Sequence, residues 1–229
     1  MPAGHPHDEL ATQTFRDIIT QPARLPMSPA SMRRILQYLV AFAACAAGTA
    51  AFAQRGAMTL PRNLDELTDR ASDIVRGTVV DARVEKHPEL DNLHTIVVTL
   101  SVRETLKGDA RGTYTFRQYI WDMRDRQDAA GYRKGQDLLL LMNAPSRYGL
   151  SSPVGLEQGR FRIERDRSGR EVALNGTGNL RLFERLQDAK SRPAALTERQ
   201  SSLVLKHRSG PIALEDVAAM IRAYTENGG

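Results

Sequence analysis

Few side chains in this sequence have the type and spacing to do chemistry. Downstream of residue 53 there are three histidines, His87, His94 and His207. His87 and His94 flank the turn-forming stretch Pro88-Glu89-Leu90-Asp91-Asn92, so two imidazoles could meet across a hairpin, with Glu89 or Asp91 as a third ligand. Such a set would suit a zinc-dependent hydrolase. A polar loop with incidental histidines has the same pattern, and we expect neither a metal nor another cofactor. The sequence contains no Gly-x-Ser-x-Gly elbow, no His-Glu-x-x-His and no phosphate-binding loop. Gly176-Thr177-Gly178 lacks the strand–turn–helix continuation of a phosphate cradle and reads as a turn. Asp122, Asp125 and Asp128 alternate with Arg124, Arg126 and Arg133. That pattern describes a solvated, salt-linked loop better than a general acid–base pair, which needs one raised pKa in a cleft. We expect no catalytic residue.

The same loop is a better candidate for binding. Tyr119-Ile120-Trp121-Asp122-Met123-Arg124 sets the only tryptophan beside tyrosine, methionine and arginine, residue types enriched at interfaces and their hot spots. The polar excursion over residues 121–134 is also long for a plain connection. Tyr119, Trp121, Met123 and Arg124 are therefore the expected binding residues; alternatively, Trp121 plugs one end of the fold. Tyr114, Phe116, Arg117 and Tyr119 interleave aromatic and basic groups as a nucleic-acid surface would. With Lys+Arg 32 against Asp+Glu 27 spread along 229 residues, however, there is no basic footprint, and nucleic acid is not an expected partner.

Composition bounds the rest. At 41% hydrophobic and 26% charged residues the chain has material for a packed core. Its single cysteine, Cys45, excludes an internal disulfide framework. Arg33-Arg34 precede the apolar run Ile35-Leu36-Gln37-Tyr38-Leu39-Val40-Ala41-Phe42-Ala43-Ala44, and Ala51-Phe52-Ala53-Gln54 follows. Charge, apolar stretch and small residues at −1 and −3 are the parts of a secretory signal peptide, with cleavage expected after Ala53 and Met27 or Met32 as the true start. The alternatives are a retained anchor over residues 35–53, lipidation at Cys45, or twin-arginine export. Cleavage would remove the only cysteine and leave the small positive excess almost unchanged. The expected organisation is a leader and signal peptide over 1–53, a β domain over 54–186, and a linker with a C-terminal helix over 187–229. The expected location is periplasmic or secreted. The partner would be an unknown protein or envelope component, with membrane contact only if the signal segment is retained.

These residues need elements to position them. Asn63 is an N-cap for a short helix in which Leu64, Leu67 and Ala71 share a face. Residues 74–84 read as a strand. The alternation of Ile96, Val98, Leu100 and Val102 marks a second over residues 95–106. Lys107-Gly108-Asp109-Ala110-Arg111-Gly112 turns that strand into Thr113-Tyr114-Thr115-Phe116-Arg117, a hairpin. Leu138-Leu139-Leu140-Leu141-Met142 is apolar throughout, as in a strand buried on both faces. Residues 159–165 and 170–175 form a second hairpin about Asp166-Arg167-Ser168-Gly169. Leu214, Val217, Met220, Ile221 and Tyr224 recur at helical spacing, giving an amphipathic helix to pack on the barrel or on a partner, the latter as a structural envelope component docked through this helix. Five or six strands so arranged suggest a mainly β chain folded as a small antiparallel barrel, or else an open sandwich.

The strings Ala71-Ser72-Asp73-Ile74-Val75-Arg76-Gly77-Thr78-Val79-Val80, Thr99-Leu100-Ser101-Val102-Arg103-Glu104-Thr105-Leu106-Lys107-Gly108 and Gly135-Gln136-Asp137-Leu138-Leu139-Leu140-Leu141 occur in that order. The sequence thereby resembles exported bacterial domains of uncharacterised function, which in turn resemble the netrin-type module of tissue metalloproteinase inhibitors. The resemblance covers about residues 64–142, and residues 154–161 are similar to a downstream strand of the bacterial proteins. It implies an OB-like barrel with a short N-terminal helix and a C-terminal amphipathic helix. The inhibitors chelate their target's zinc through an N-terminal cysteine. The expected mature chain begins at Gln54 and has no cysteine, so no functional residue is carried over.

Overall fold

Asn63 opens the first helix with a capping box. Its Oδ1 accepts from the Glu66 N–H (2.9 Å) while Glu66 Oε2 accepts from the Asn63 N–H (3.2 Å), satisfying orphan donors of helix α1, Leu64–Arg70. Leu64, Leu67 and Ala71 are buried on one side of it. This computed structural model describes residues 59–120, 122, 124–186 and 196–227. The expected signal segment, with Cys45, lies outside the described residues. No helix among the described residues is long and apolar enough to cross a membrane.

The protein is mainly β. Strands β1 (Asp73–Lys86), β2 (His94–Lys107) and β3 (Thr113–Tyr119) form an antiparallel meander. β4 (Asp137–Met142) pairs with the first half of β1, and β5 (Arg160–Arg165) and β6 (Glu171–Asn175) form the second hairpin. The two-residue β7 (Ile212–Ala213) completes an antiparallel sheet of order β3-β2-β1-β4-β5-β6-β7. Helices α2 (Asp125–Asp128), α3 (Glu198–Lys206) and α4 (Leu214–Asn227) follow α1.

The sheet separates two apolar cores, and β4 lines both, as its unbroken apolar run requires. Leu138, Leu140 and Met142 join Val79, Ile96, Val98, Leu100, Phe116 and Tyr132 on one face. Leu139 and Leu141 join Ile74, Phe161 and Ala173 on the other, where α1 and α4 cover them. The C-terminal helix thus packs on the chain's own sheet: Val217, Met220 and Ile221 are fully buried. Leu182, Phe183 and Leu186 reach the same core from irregular backbone. That backbone is held by two buried amides. Asn175 Oδ1 accepts from the Asn179 N–H (2.7 Å), and Asn179 Oδ1 from the Asn175 N–H (2.9 Å). Asn179 Nδ2 donates to Ala173 O and to Gly210 O, tying β6 to the segment before β7.

The sheet is not closed. β3 and β7 are the two edges of an open sheet. β1 bends at Val80, where its register with β2 slips from Val79↔Leu100 to Asp81↔Thr99, a bulge. Beyond it β1 pairs with β2 alone. Among the described residues, β3 and β4 are linked through residues 150–153 by single bridges: Arg117↔Leu150, parallel, and Met142↔Pro153, antiparallel. The intervening chain contains Pro145 and Pro153, which lack the N–H a continuous ladder needs.

The residues that carry the family resemblance have structural work here. A Cβ on Gly77 would stand 2.5 Å from Ser101 O across the β1–β2 ladder. The Asp73 carboxylate occupies the space beside Gly108. Lys107 Nζ donates to Thr68 O (3.0 Å) and Asp69 O (3.2 Å), satisfying carbonyls at the C-terminal end of α1.

Candidate binding surface

Tyr119 ends β3 on an edge of the sheet and is 41% exposed. Of the other expected binding residues, Trp121 and Met123 lie outside the described residues. Arg124 is exposed and gripped by Asp122, whose Oδ1 accepts from both the Arg124 backbone N–H (2.9 Å) and Nε (3.1 Å). The buried Asp125 carboxylate accepts from the Asp122 N–H (3.3 Å). This part of the loop is salt-linked, as its alternating charges suggest.

The β1–β2 hairpin brings His87 and His94 to one turn, but His87 is committed elsewhere. Its Nδ1 accepts from the Glu89 N–H (3.1 Å), which leaves the proton on Nε2 to donate to Tyr148 O (2.8 Å). Both ring nitrogens are occupied in a 3% exposed side chain. Among the described residues no group of three His, Cys, Asp or Glu is placed to hold a metal ion.

The Tyr148 bond reveals a feature that sequence reasoning missed. Residues 146–150 form a tight turn in which Ser146 Oγ accepts from the N–H groups of Tyr148 (3.3 Å) and Leu150 (3.2 Å). Ser146 N–H donates to Leu150 O (2.8 Å), and Gly149 N–H to Ser146 O (2.8 Å) at φ 69°. Ser151 N–H donates to Arg117 O (2.8 Å), fixing the turn to β3. Tyr148 projects from it, 37% exposed, with the Arg147 guanidinium 4.6 Å over its ring and Arg147 Nη2 donating to its hydroxyl (2.7 Å). The signal was local: a serine followed three residues later by glycine, enclosing the arginine–tyrosine pair.

The β1–β2 turn, the end of β3 and the 146–150 turn thus meet at one corner of the fold, and each of the last two carries an exposed tyrosine. Beneath them Arg117 bridges Glu85 Oε1 (2.6 Å) and Thr95 Oγ1 (2.8 Å), while Thr95 faces Tyr119 in the ladder. Arg117, then Arg83, hold the Glu85 carboxyl below its usual pKa.

The loop leaving β3 is anchored by a second device. Ala129 (φ 49°), Ala130 (φ 52°) and Gly131 (φ 74°) make a left-handed turn, costly for alanine. Arg160 holds it by donating to Ala130 O (2.8 Å), pairing with Glu157 (2.9 Å) and stacking 4.6 Å over Tyr132. The buried Tyr132 hydroxyl donates to Gln118 Oε1 (3.1 Å), and burial raises its pKa. Ala129→Gly should relieve the strain and stabilise the protein by about 1 kcal/mol, read as a higher urea midpoint at unchanged slope.

Comparison with known proteins found no matching family model, no matching curated protein and no matching solved structure.

Proposed function

We propose that this chain is an exported, non-enzymatic binding protein of the bacterial cell envelope, and that it captures an envelope partner at the Tyr119–Tyr148 corner. Trp121, Met123 and Arg124 of the adjoining loop extend the surface. The observation that carries this reading is the pre-organised turn over residues 146–150. An exposed tyrosine stacked under its own arginine has little rotamer freedom left to lose on binding, which is how aromatic–arginine anchors reach high affinity. Export rests on the charged, apolar and Ala-x-Ala segments ahead of Gln54.

The scaffold is read as OB-like, in keeping with the resemblance to netrin-type modules. Support comes from the bulged β1 shared between β2 and β4, and from residues 150–153. These run parallel to β3 and antiparallel to β4, the placement of a closing fifth strand in a partly open barrel. On that scaffold the Tyr119–Tyr148 corner lies beside the turn between strands one and two.

The test is capture from envelope extract by the immobilised protein after photo-cross-linking. We expect a discrete partner with wild type, and at least ~30-fold less of it with Tyr119→Ala/Tyr148→Ala at unchanged thermal midpoint, as for loss of a ~2 kcal/mol hot spot. Equal recovery with both proteins, or no specific species with wild type, would exclude this corner as the binding site.

A further inference from the structure

His207 is a titratable, partly buried group outside the proposed binding surface, and its surroundings favour its neutral form. It closes α3 as C-cap, its N–H donating to Leu203 O (2.8 Å). The ring meets Phe183 edge-on, with centroids 5.5 Å apart and planes at 72°. Nε2 is buried against this apolar surface and has no hydrogen-bond partner among the described residues. A proton there would add a positive charge and an unsatisfied N–H.

Among the described residues no acid pairs with the ring. Arg208 adds charge of the same sign and is held nearby by bonds to Leu205 O and His207 O. On the Phe183 segment, Glu184 pairs with Arg181 (3.1 Å), and Arg185 with Glu66 (3.3 Å). On α4, Glu215 and Asp216 both pair with Arg199 of α3 (2.9 and 2.8 Å). Lys206 precedes the ring and is again positive. Burial first, then Arg208, hold the His207 pKa below the ordinary histidine value.

α3 has few other fastenings. Val204 is buried and Leu203 partly so, while Leu205 is half exposed. Gln200 is also buried, Leu196 packs against the same core just ahead of the helix, and the Arg199 ion pairs add ties worth little where they are exposed.

We propose that His207 is an acid-sensitive latch: neutral, its ring docks α3 against Phe183; protonated, it lets α3 lift from the body and bare Phe183 and Val204. Because the docked state has the lower pKa, the undocked state binds the proton more tightly. The docking contribution is complete above the unperturbed value of about 6.5 and fades as pH falls below it. This inference is independent of the proposed partner site.

Hydrogen exchange of the folded protein at about pH 7.5 and about pH 5.5, with exchange times scaled for the intrinsic rate, tests it. In wild type, protection of residues 198–206 should fall roughly five-fold relative to that of β1 and β4 on acidification. His207→Phe, which keeps a flat ring without a titrating proton, should show no such fall. His207→Gln serves the same purpose should the phenylalanine variant fail to fold. Unchanged wild-type protection between the two pH values, or the same fall in the variant, overturns the latch.

Discussion

A chain ending at Gly210 is expected to remain unfolded under conditions where the full protein folds. The truncation removes Ile212, Leu214, Val217, Met220, Ile221 and Tyr224, all buried and three of them completely. At roughly 2 kcal/mol for each buried side chain the loss is on the order of 10 kcal/mol, comparable to the whole stability of a typical domain. It also strips β7 from β6 and uncovers α1, whose Leu64 and Leu67 share that core. Circular dichroism and amide dispersion of the truncated protein check this. A cooperative melt with an intact β spectrum would mean that α4 is an appendage, free to serve as a docking arm for another envelope component.

A large single-site effect should come from Gly159→Ala. With φ at −88° the backbone there suits any residue, so the effect is steric. An added Cβ would sit 2.5 Å from Val154 O, 2.9 Å from Val154 N and 3.0 Å from Leu141 O, all main-chain atoms with no rotamer to yield. Gly159 O also accepts from the Leu141 N–H (2.9 Å), and Val154 N–H donates to Leu141 O (2.7 Å). Making room therefore means prying the turn after residue 153 away from β4. We expect a loss on the order of 3 kcal/mol, at the upper end for overpacking. Gly112→Ala is the control. It has a positive φ but nothing within 4 Å, and should cost only about 1 kcal/mol of backbone strain. Urea midpoints for the two variants decide the order, and a Gly159→Ala loss no greater than the control's would show that the turn yields freely.

The parts legible in the sequence are those governed by short-range pattern. Alternation of Ile96, Val98 and Leu100 located β2 to within one residue at either end. The run of four leucines and a methionine announced a strand with two buried faces. Asn63, Leu64, Leu67 and Ala71 announced α1 and its cap, and the turn at 166–169 announced the β5–β6 hairpin. α3 went unseen because Leu203, Val204 and Leu205 are contiguous rather than periodic, although Thr197 and Gln200 spell its capping box. Leu182, Phe183 and Leu186 are core residues without any repeat, placed by an Asn175–Asn179 exchange that no pattern of polarity announces. Tyr119 stood out among the aromatics of its loop. Tyr148 did not, since its place beside that residue depends on bonds from His87, sixty-one positions earlier, and on the tie from Ser151 to β3.

One wall serves two rooms. Five consecutive side chains of β4 point alternately into opposite interiors, so neither interior can lose its packing while the other keeps a boundary. The meander that presents the tyrosines and the helical layer built from residues 214–227 should therefore melt together. A lesion beneath α4 would loosen the distant corner without touching it.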